Sequence, residues 1–569
     1  MTRGERVLEG TGVTPLSAVG TVVVYDPAVS DSLPDPSESD RDPEREHERF
    51  RQARDSAREE LQAERDTAAD RIGKDEAGIF DAHIQFLDDP SIESDIEAAI
   101  DEGLPAEHGV DRAFENAIEQ LDAAGGRMAE RTDDLREVRD RLLGQLLGAS
   151  AEDLPGLPDG AVVVAERLGP TDTAQLDPGR VAGFATATGG ETSHAAIIAR
   201  SLGIPAVVGL DELDAVEDGQ RVAIDGEAGT LVVEPSEDRL EGAADGRDVE
   251  VRHGPVETTD GHEIEVAANV GSPAEASAAR DRGADGVGLF RTEFFFLDRN
   301  EPPSEAEQYG AFVDVLETFE GDRVVVRTLD VGGDKPVPYL DVAAGENPFL
   351  GVRGVRLTPG ERGDLFEAQL RALLRAAATD AGEGLAVLFP LVTSVPEVTG
   401  LLDRVDAVAE TLGAEGVPAR IPELGVMIET PASAFVAGEL AGHVDFLSIG
   451  TNDLTQYVMA AARGDDRVAS FHDPLHPPVL RAIDRTIRGS RGRDVRVGMC
   501  GEMAGDPALT TLLIGLGLDE LSMSSLTVPD VKAAVTATDA ERAGDLADRV
   551  LDAASRAEVE SILSAWPDG

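Results

Sequence analysis

Several residue types are scarce in this chain of 569 residues. The single cysteine, Cys500, excludes an internal disulfide and fits a reducing cytosol. Lysine occurs only at Lys74, Lys335 and Lys532, and 111 acidic residues against 50 basic ones give a net charge of −61. Such a surface repels nucleic acid and anionic lipid, so neither is expected as a partner. Because the acidic excess is spread along the whole chain, we expect a halophilic protein whose self-repulsion is screened by a salt-rich cytoplasm.

Long apolar segments are also missing. No run reaches the roughly 18 apolar residues that span a membrane, so we expect no membrane insertion. The first residues, Met1–Arg6, lack the apolar core of a secretory signal, and we expect a cytoplasmic protein. Hydrophobic residues nevertheless make up 41% of the chain, which is ample for packed cores. A chain of this length predicts two to four domains.

Composition divides the chain into segments. Residues 1–36 and 148–234 carry apolar, strand-like runs and predict one α/β domain, with one or two strands between residues 7 and 25. Residues 37–147 are rich in Arg, Glu, Asp and Ala, and their helical spacing of apolar residues predicts an inserted bundle of three or four helices. That bundle could space domains or dock a second protein. Residues 235–257 are polar and acidic, which indicates a linker.

Residues 258–569 repeat a strand-then-helix pattern. The predicted strands are residues 263–270, 285–289, 323–329, 386–391, 423–428, 445–449, 495–499 and 520–523. Eight units favour a closed (β/α)8 TIM barrel over an open doubly wound sheet. The predicted fold is therefore a multidomain α/β protein in which a TIM barrel follows an α/β domain with a helical insert.

One histidine lies at a predicted helix start within residues 189–203. Two glycines allow a tight turn, Thr192 or Ser193 can cap the helix, and Gly203 ends it. The free N–H groups and the dipole of a helix start favour an anion. His194 is therefore a candidate nucleophile that attacks phosphorus and carries a phosphoryl group, the alternative being a capping or packing histidine.

Polar residues follow five of the predicted barrel strands, at the end where TIM barrels place catalytic groups. The candidates are Arg291, Arg327, Lys335, Glu429, Asn452, Asp453, Arg463 and Cys500. The cations suit phosphate and carboxylate oxygens, and Glu429 and Asp453 suit Mg²⁺. Cys500 could donate a proton into the cavity or be a small buried hydrophobe. Each charge alone would more often be a surface group, but their joint placement favours one site.

The stretch 189–200, GGETSHAAIIAR, resembles the phosphohistidine motif of phosphoenolpyruvate (PEP)-utilising enzymes. Six further stretches resemble enzyme I of the sugar phosphotransferase system, a branch of that family: GVGLFRTEF (286–294), RTLDVGGDK (327–335), NPFLGVR (347–353), GVMIETP (425–431), SIGTNDLTQY (448–457) and GMCGEMAGD (498–506). The resemblance covers nearly the full length. It departs at Glu191, where the family usually has a basic residue, and at Ala462, where it commonly has Asp.

The resemblance implies a specific reaction. His194 takes the phosphoryl group of PEP and passes it to a histidine of the phosphocarrier protein HPr, releasing pyruvate in the first step of the phosphotransferase system. By the same resemblance, PEP is bound by Arg291, Arg327, Asn452 and Arg463, Mg²⁺ by Glu429 and Asp453, and Cys500 protonates the enolate carbon. Lys335 and Asp453 are further candidates for binding the substrate. Residues 37–147 become the HPr-docking insert, and the barrel becomes the interface of a homodimer.

Two other classes of protein are alternatives. A dikinase or synthase shares the histidine and barrel modules but needs an ATP-binding domain, and no Gly-x-x-x-x-Gly-Lys loop occurs here. A catalytically silent scaffold could keep the same fold. The joint presence of His194, Cys500 and the charged residues at the strand ends favours an enzyme over a scaffold.

Overall fold

The computed structural model forms two compact units, Met1–Asp248 and Val249–Gly569. It describes residues 5–14, 16–25, 33, 42–71, 78–124, 127–148, 156–190, 194–226, 228–236, 249–296, 301–332, 339, 347, 349–357, 363–462, 466–493 and 495–566. No helix among these residues has the length and apolar character needed to cross a bilayer.

The first unit contains an eight-stranded sheet with the order β1-β8-β7-β3-β4-β5-β6-β2. Its strands are β1 (Arg6–Glu9), β2 (Thr11–Gly12), β3 (Ser17–Tyr25), β4 (Ala161–Ala165), β5 (Val181–Thr186), β6 (Ala206–Val208), β7 (Arg221–Asp225) and β8 (Thr230–Val233). The prediction of one or two strands before residue 26 was wrong, because the described residues of that segment form three. The extended segment is interrupted at Gly10. β1 pairs with β8, whereas β2 pairs with β6 at the opposite end of the strand order.

Between β3 and β4, the part of the chain that the structure describes forms five helices: α1 (Pro43–Arg71), α2 (Gly78–Leu87), α3 (Pro90–Asp101), α4 (Ala106–Ala124) and α5 (Arg127–Leu147). Turns separate α2 from α3 near residues 88–89 and α3 from α4 near residues 102–105. Asp89 caps α3 by accepting hydrogen bonds from the amides of Ser91 and Ile92, and Pro90 occupies the first turn. The predicted number of helices was too small, because the described residues of this insert form five, with α4 ending at Ala124 and α5 starting at Arg127. Two shorter helices follow in this unit, α6 (Pro170–Gln175) and α7 (His194–Leu202).

The second unit is a closed parallel barrel, which confirms the predicted TIM barrel. Its strands are β10 (Glu263–Val270), β11 (Val287–Arg291), β12 (Val324–Arg327), β13 (Leu385–Phe389), β14 (Glu423–Ile428), β15 (Phe446–Gly450), β16 (Arg496–Cys500) and β17 (Glu520–Met523), and a short β9 (Val256–Glu257) adds to β10. Closure is explicit because β10 pairs with both β11 and β17. An open doubly wound sheet would leave β10 or β17 at an edge.

Helices surround the barrel. They are α8 (Pro273–Asp281), α9 (Glu305–Phe319), α10 (Gly363–Ala377), α11 (Val395–Glu415), α12 (Pro431–Phe435), α13 (Ala437–Leu440), α14 (Thr451–Met459), α15 (Pro477–Ser490), α16 (Glu502–Gly505), α17 (Thr510–Leu516), α18 (Val528–Ala537), α19 (Ala540–Asp552) and α20 (Arg556–Ser564). The main core lies between these helices and the sheet. A second apolar cluster consists of Leu289, Val325, Ala386, Leu388, Met427, Phe446 and Cys500, on the inward positions of the strands.

The segment before the barrel belongs partly to the second unit. β9 pairs antiparallel with β10. The ammonium group of Lys532 is fully buried, lies 2.6 Å from a carboxylate oxygen of Asp285, and donates to the carbonyl oxygens of Arg252 and Gly254. Residues 252–257, at the end of the predicted linker, are therefore fixed to the barrel.

Candidate active site

His194 is the first residue of α7. Ala195, Ala196 and Ala199 pack in the core beneath the sheet, while Ile198 joins the core of the helical bundle. The helix start is thus held from both sides within the first unit. The side chain of His194, the proposed caps Thr192 and Ser193, and the departure at Glu191 lie outside the described residues.

The barrel mouth begins with two arginines at the ends of neighbouring strands. Arg291 of β11 and Arg327 of β12 are register partners, so their side chains start side by side. One Nη of Arg327 donates to Glu293 Oε1 at 2.5 Å, and the other lies 3.2 Å from Asp330 Oδ2. Arg327, Glu293 and Asp330 are 6%, 3% and 1% exposed. A guanidinium held between two buried carboxylates has little freedom to reorient.

The charge of Arg327 is secured by its neighbours. Burial alone would lower its pKa, but attraction to Glu293, Asp330 and Glu429 outweighs burial and the pKa is raised. The Nε atoms of Arg291 and Arg327 are buried and have no hydrogen-bond partner among the described residues. The Arg291 guanidinium lies 5.0 Å from the centre of the Phe294 ring. Buried donors without an acceptor are where an anionic ligand would gain most.

Two acidic groups complete the mouth. Glu429 follows β14 and is 2% exposed, and Asp453 lies in the first turn of α14. Burial raises the pKa of Glu429 to about 8, repulsion by Asp453 and Asp330 adds to this, and Arg327 opposes it. The carboxylate of Glu429 also accepts a hydrogen bond from the amide of Leu391. Two carboxylates that repel each other in a buried place are suited to a divalent cation.

A metal ion at this place would need oxygen atoms of the substrate to complete its coordination. No group of three or more His, Cys, Asp or Glu side chains with metal-site geometry occurs in the part of the chain that the structure describes. Mg²⁺ commonly takes one or two carboxylates together with water and a substrate phosphate. Glu429 and Asp453 therefore fit Mg²⁺ as a pair that phosphate oxygens would complete.

Arg353 was not a candidate in the sequence analysis. It is 2% exposed, its Nη2 lies 3.2 Å from Asp330 Oδ2, and it lies 3.6 Å from Asp453 Oδ2. It therefore links the arginine side of the mouth to the acidic side. The structural importance of Glu293 and Asp330 was missed as well. All three lie inside the stretches 286–294, 327–335 and 347–353, which resemble enzyme I, but spacing alone does not show that Asp330 is buried between two arginines.

Cys500 ends β16 and is 4% exposed, in the apolar cluster inside the barrel. Ser448 Oγ donates towards its sulfur at 3.7 Å, and the thiol donates to the carbonyl oxygen of Ile449 at 3.6 Å. Burial raises the pKa of the thiol to about 11, although Ser448 and Arg327 oppose the shift. Cys500 is therefore protonated at neutral pH and can act as a proton donor.

The remaining candidates are placed in part. Asn452 lies in the first turn of α14, its amide donates to Glu502 Oε1 at 3.3 Å, and its carbonyl oxygen lies 3.1 Å from His472 Nε2. Lys335 and Arg463 lie outside the described residues, whereas Ala462 is half-buried. Among the described residues, the structure thus brings Arg291, Arg327, Glu429, Asn452, Asp453 and Cys500 to the C-terminal end of one barrel.

Three family models match the chain. The PEP-binding domain of PEP-utilising enzymes matches residues 246–540, their mobile domain matches 157–229, and their N-terminal domain matches 9–131. The chain belongs to the PEP-utilising enzymes. In this PEP-utilising enzyme the matched PEP-binding domain contains the barrel mouth, and the matched mobile domain contains His194.

Relatives of this PEP-utilising enzyme agree along nearly the full length. A phosphoenolpyruvate-protein phosphotransferase from the halophile Haloferax volcanii is 60% identical over 98% of this chain and 99% of its own. One from Staphylococcus epidermidis is 38% identical over 97% of this chain and 98% of its own. A solution structure named Enzyme I (nEIt) is 34% identical and covers 42% of this chain and 97% of its own, with a TM-score of 0.34. The two curated relatives confirm the expected kinship with phosphoenolpyruvate-protein phosphotransferases.

Proposed function

We propose that this protein moves the phosphoryl group of PEP to its own His194 and then to a histidine of a phosphocarrier protein of the HPr type. Pyruvate is the other product, and the reaction is the first step of a sugar phosphotransferase system. The observation that carries the proposal is the group of charges at the barrel mouth, where Arg327 lies beside Arg291 and interacts with Glu429, and Glu429 is in turn repelled by Asp453. Full-length similarity to phosphoenolpyruvate-protein phosphotransferases supports it.

The arginines bind the substrate. PEP carries a phosphate and a carboxylate, and guanidinium groups bind both bidentately. Arg291 and Arg327 offer buried Nε donors, and Arg327 cannot turn away because Glu293 and Asp330 hold it. We propose the same role for Lys335, Asn452 and Arg463, with Asp453 beside the substrate.

Glu429 and Asp453 would hold Mg²⁺. When bound, the metal would neutralise charge on the phosphate and on the oxygen of the departing enolate. The raised pKa of Glu429 has burial as its first cause and repulsion by Asp453 as its second, and a cation between the two carboxylates would remove that repulsion.

His194 performs the transfer. One ring nitrogen attacks the phosphorus in line, the new N–P bond forms, and the bond from phosphorus to the enolate oxygen breaks. The arginines stabilise the charge that spreads over the phosphoryl oxygens. Cys500 gives its proton to the enolate carbon, which yields pyruvate, and the thiolate is then reprotonated from solvent. The phosphohistidine next passes its group to the carrier, for which residues 37–147 are the proposed docking insert.

Two further parts of the proposal concern the setting. We propose that the protein works in a salt-rich cytoplasm, supported by its net charge of −61 and by its similarity to a protein of Haloferax volcanii. We also propose that it forms a homodimer through the barrel unit. The size of the species in high-salt buffer, measured by light scattering, tests the dimer.

Labelling tests the central step. Radiolabelled PEP with Mg²⁺ should label the wild type with an acid-labile group, and His194→Ala should abolish the label. His253→Ala, which removes an exposed histidine of the barrel unit, should label like the wild type. Pyruvate should be formed continuously only when a carrier from the same cell is added, because the carrier regenerates free His194. Acid-labile label in His194→Ala would contradict the proposal, and labelling by ATP instead of PEP would indicate a dikinase or synthase.

A further inference from the structure

A buried amide lies behind the wall of the barrel mouth. Gln369 is on α10 and is 0% exposed. Its Nε2 donates to Thr292 Oγ1 at 3.2 Å and to Gln308 Oε1 at 3.3 Å, while its Oε1 accepts from the amide of Leu329 at 2.8 Å. Both ends of this one side chain are therefore engaged, on two different loops of the barrel.

Those two loops carry the groups that hold Arg327. Thr292 is the neighbour of Glu293 in sequence, and its hydroxyl donates to the carbonyl oxygen of Arg327 at 2.8 Å. Leu329 is the neighbour of Asp330. Glu293 and Asp330 are the residues whose carboxylates contact the Arg327 guanidinium. Gln369 thus holds the segment that carries each of them, without touching the mouth itself.

The strand ladder alone does not fix these segments. The pairing of β11 with β12, which is irregular between Val287 and Phe290, ends at Arg291 and Arg327, before Thr292 and Leu329. The hydrogen bonds of a buried amide compensate for its lost hydration, so they specify one arrangement of the groups that make them. A shift of about 1 Å at such a site can change a rate about a hundredfold. The Gln369 amide therefore has the position and the hydrogen bonds needed to set the position of one loop relative to the other.

We propose that Gln369 is a positioning residue that aligns Arg327 for phosphoryl transfer by joining the loops after β11 and β12. The inference rests on the proposed function, because the reaction it affects is the transfer from PEP to His194. Gln308, whose Nε2 donates to the carbonyl oxygen of Pro303, orients the Gln369 amide from the other side.

Three variants of the full-length protein test the proposal. Gln369→Met keeps the length of the side chain but removes every hydrogen bond, and should lower kcat for phosphorylation of His194 by about 30-fold. Gln308→Met leaves the bonds to Thr292 and Leu329 and should lower kcat by less than about threefold. The control is Leu373→Ala, a fully buried change one helical turn further along α10, which should lower the melting temperature and leave kcat within about twofold.

A second measurement separates this proposal from the function. Hydrogen exchange over residues 287–296 and 324–332 should be faster in Gln369→Met than in the wild type, and much less affected in Leu373→Ala. Faster exchange there with lost kcat supports the positioning role. Unchanged exchange overturns it, and so does a fall of kcat in Leu373→Ala as large as in Gln369→Met. If the wild type takes no label from PEP, the proposed function fails, and the exchange result still decides whether Gln369 orders the two loops.

Discussion

The two ends of the barrel interior carry the same kinds of side chain in different surroundings. At the end where the strands begin, Arg323 pairs with Glu423 and lies 3.8 Å from Glu520, and Arg496 pairs with Glu265. At the end where the strands finish, Arg327 lies between Glu293 and Asp330. The apolar cluster around Leu289, Met427 and Phe446 lies between the two layers.

The difference lies in what bears the charges. At the end where the strands begin, the charges lie on residues in or next to the strands. The Arg323 guanidinium lies 4.5 Å from the centre of the Phe446 ring, so these side chains fill that end of the barrel. In the mouth, Glu293, Asp330 and Asp453 stand on loops or a helix start beyond the strands, where a ligand can approach. Residue type alone therefore does not assign a role, and the position along the strand does.

The strongest test compares two arginines of one strand segment. Arg327→Met should lower kcat/KM for PEP by about 10³-fold, about 4 kcal/mol, because the charge that faces the phosphoryl oxygens is lost. Arg323→Met should keep kcat/KM within about threefold but lower the stability by about 2 kcal/mol, because Glu520 loses a cation partner. Steady-state kinetics and urea unfolding measure both. Equal loss of activity in the two variants would remove the distinction between the ends.

The second test concerns the Cys500 thiol, which lies between the barrel mouth and the apolar interior. Cys500→Ala should slow pyruvate formation about 10²-fold while PEP still binds, because the proton donor is lost and the arginines remain. The control is Ser522→Ala. Ser522 is the register partner of Cys500 on the next strand, and this substitution should change the rate by less than about threefold. Calorimetry of PEP binding provides the second readout. Loss of binding in Cys500→Ala would indicate a structural thiol.

The stability of the protein should depend on pH through Glu520, which lies at the end of the barrel where the strands begin. Burial raises the pKa of Glu520 to about 7 from its ordinary value of 4.5, with repulsion by Glu265 adding to this. A raised carboxyl pKa means that the native state binds the proton more tightly than the unfolded state. Its stabilising effect is complete below pH 4.5 and is lost as the pH rises through about 7, at most about 3 kcal/mol.

Glu520→Gln should therefore gain stability relative to the wild type between pH 4.5 and pH 7, and this gain should level off above about pH 8. Denaturant unfolding across that range measures it. Glu423→Gln is the matched control because its side chain is 55% exposed. A difference between Glu520→Gln and the wild type that does not vary with pH would contradict the account.

The smallest effect is expected at the rim of the mouth. Glu502→Gln weakens the acceptor of the 3.3 Å bond from Asn452, and that bond is exposed to solvent. Exposed bonds contribute about 0.5 kcal/mol, so KM for PEP should change by less than about threefold. A tenfold change would place Glu502 among the groups that bind substrate.

Much of the barrel could be predicted because its signals are local. Each strand is a short apolar run that is followed by polar residues, and the bounds of β10, β14 and β17 match the prediction. The start of the chain was harder, since β2 has two residues and reaches a different edge of the sheet from β1. No periodicity is visible in two residues.

The site was predictable in the same measure. Strand ends located Arg291, Arg327 and Cys500, because parallel strands bring their carboxyl ends together. Arg353 and Gln369 were missed because Arg353 does not follow a strand directly and Gln369 lies on a helix outside the barrel. Their places depend on tertiary packing, which the spacing of residues does not encode. The roles assigned to the strand-end residues remain predictions.

The pairing of β10 with β17 has a consequence for biosynthesis. Glu265 pairs with Glu520, so the first barrel strand leaves the ribosome long before its closing neighbour is translated. Until then the nascent chain displays an open strand edge, which other chains can pair with and which chaperones would need to shield. A transcript that ends before codon 520 encodes an inert product, because the ring that gathers the arginines and carboxylates never closes.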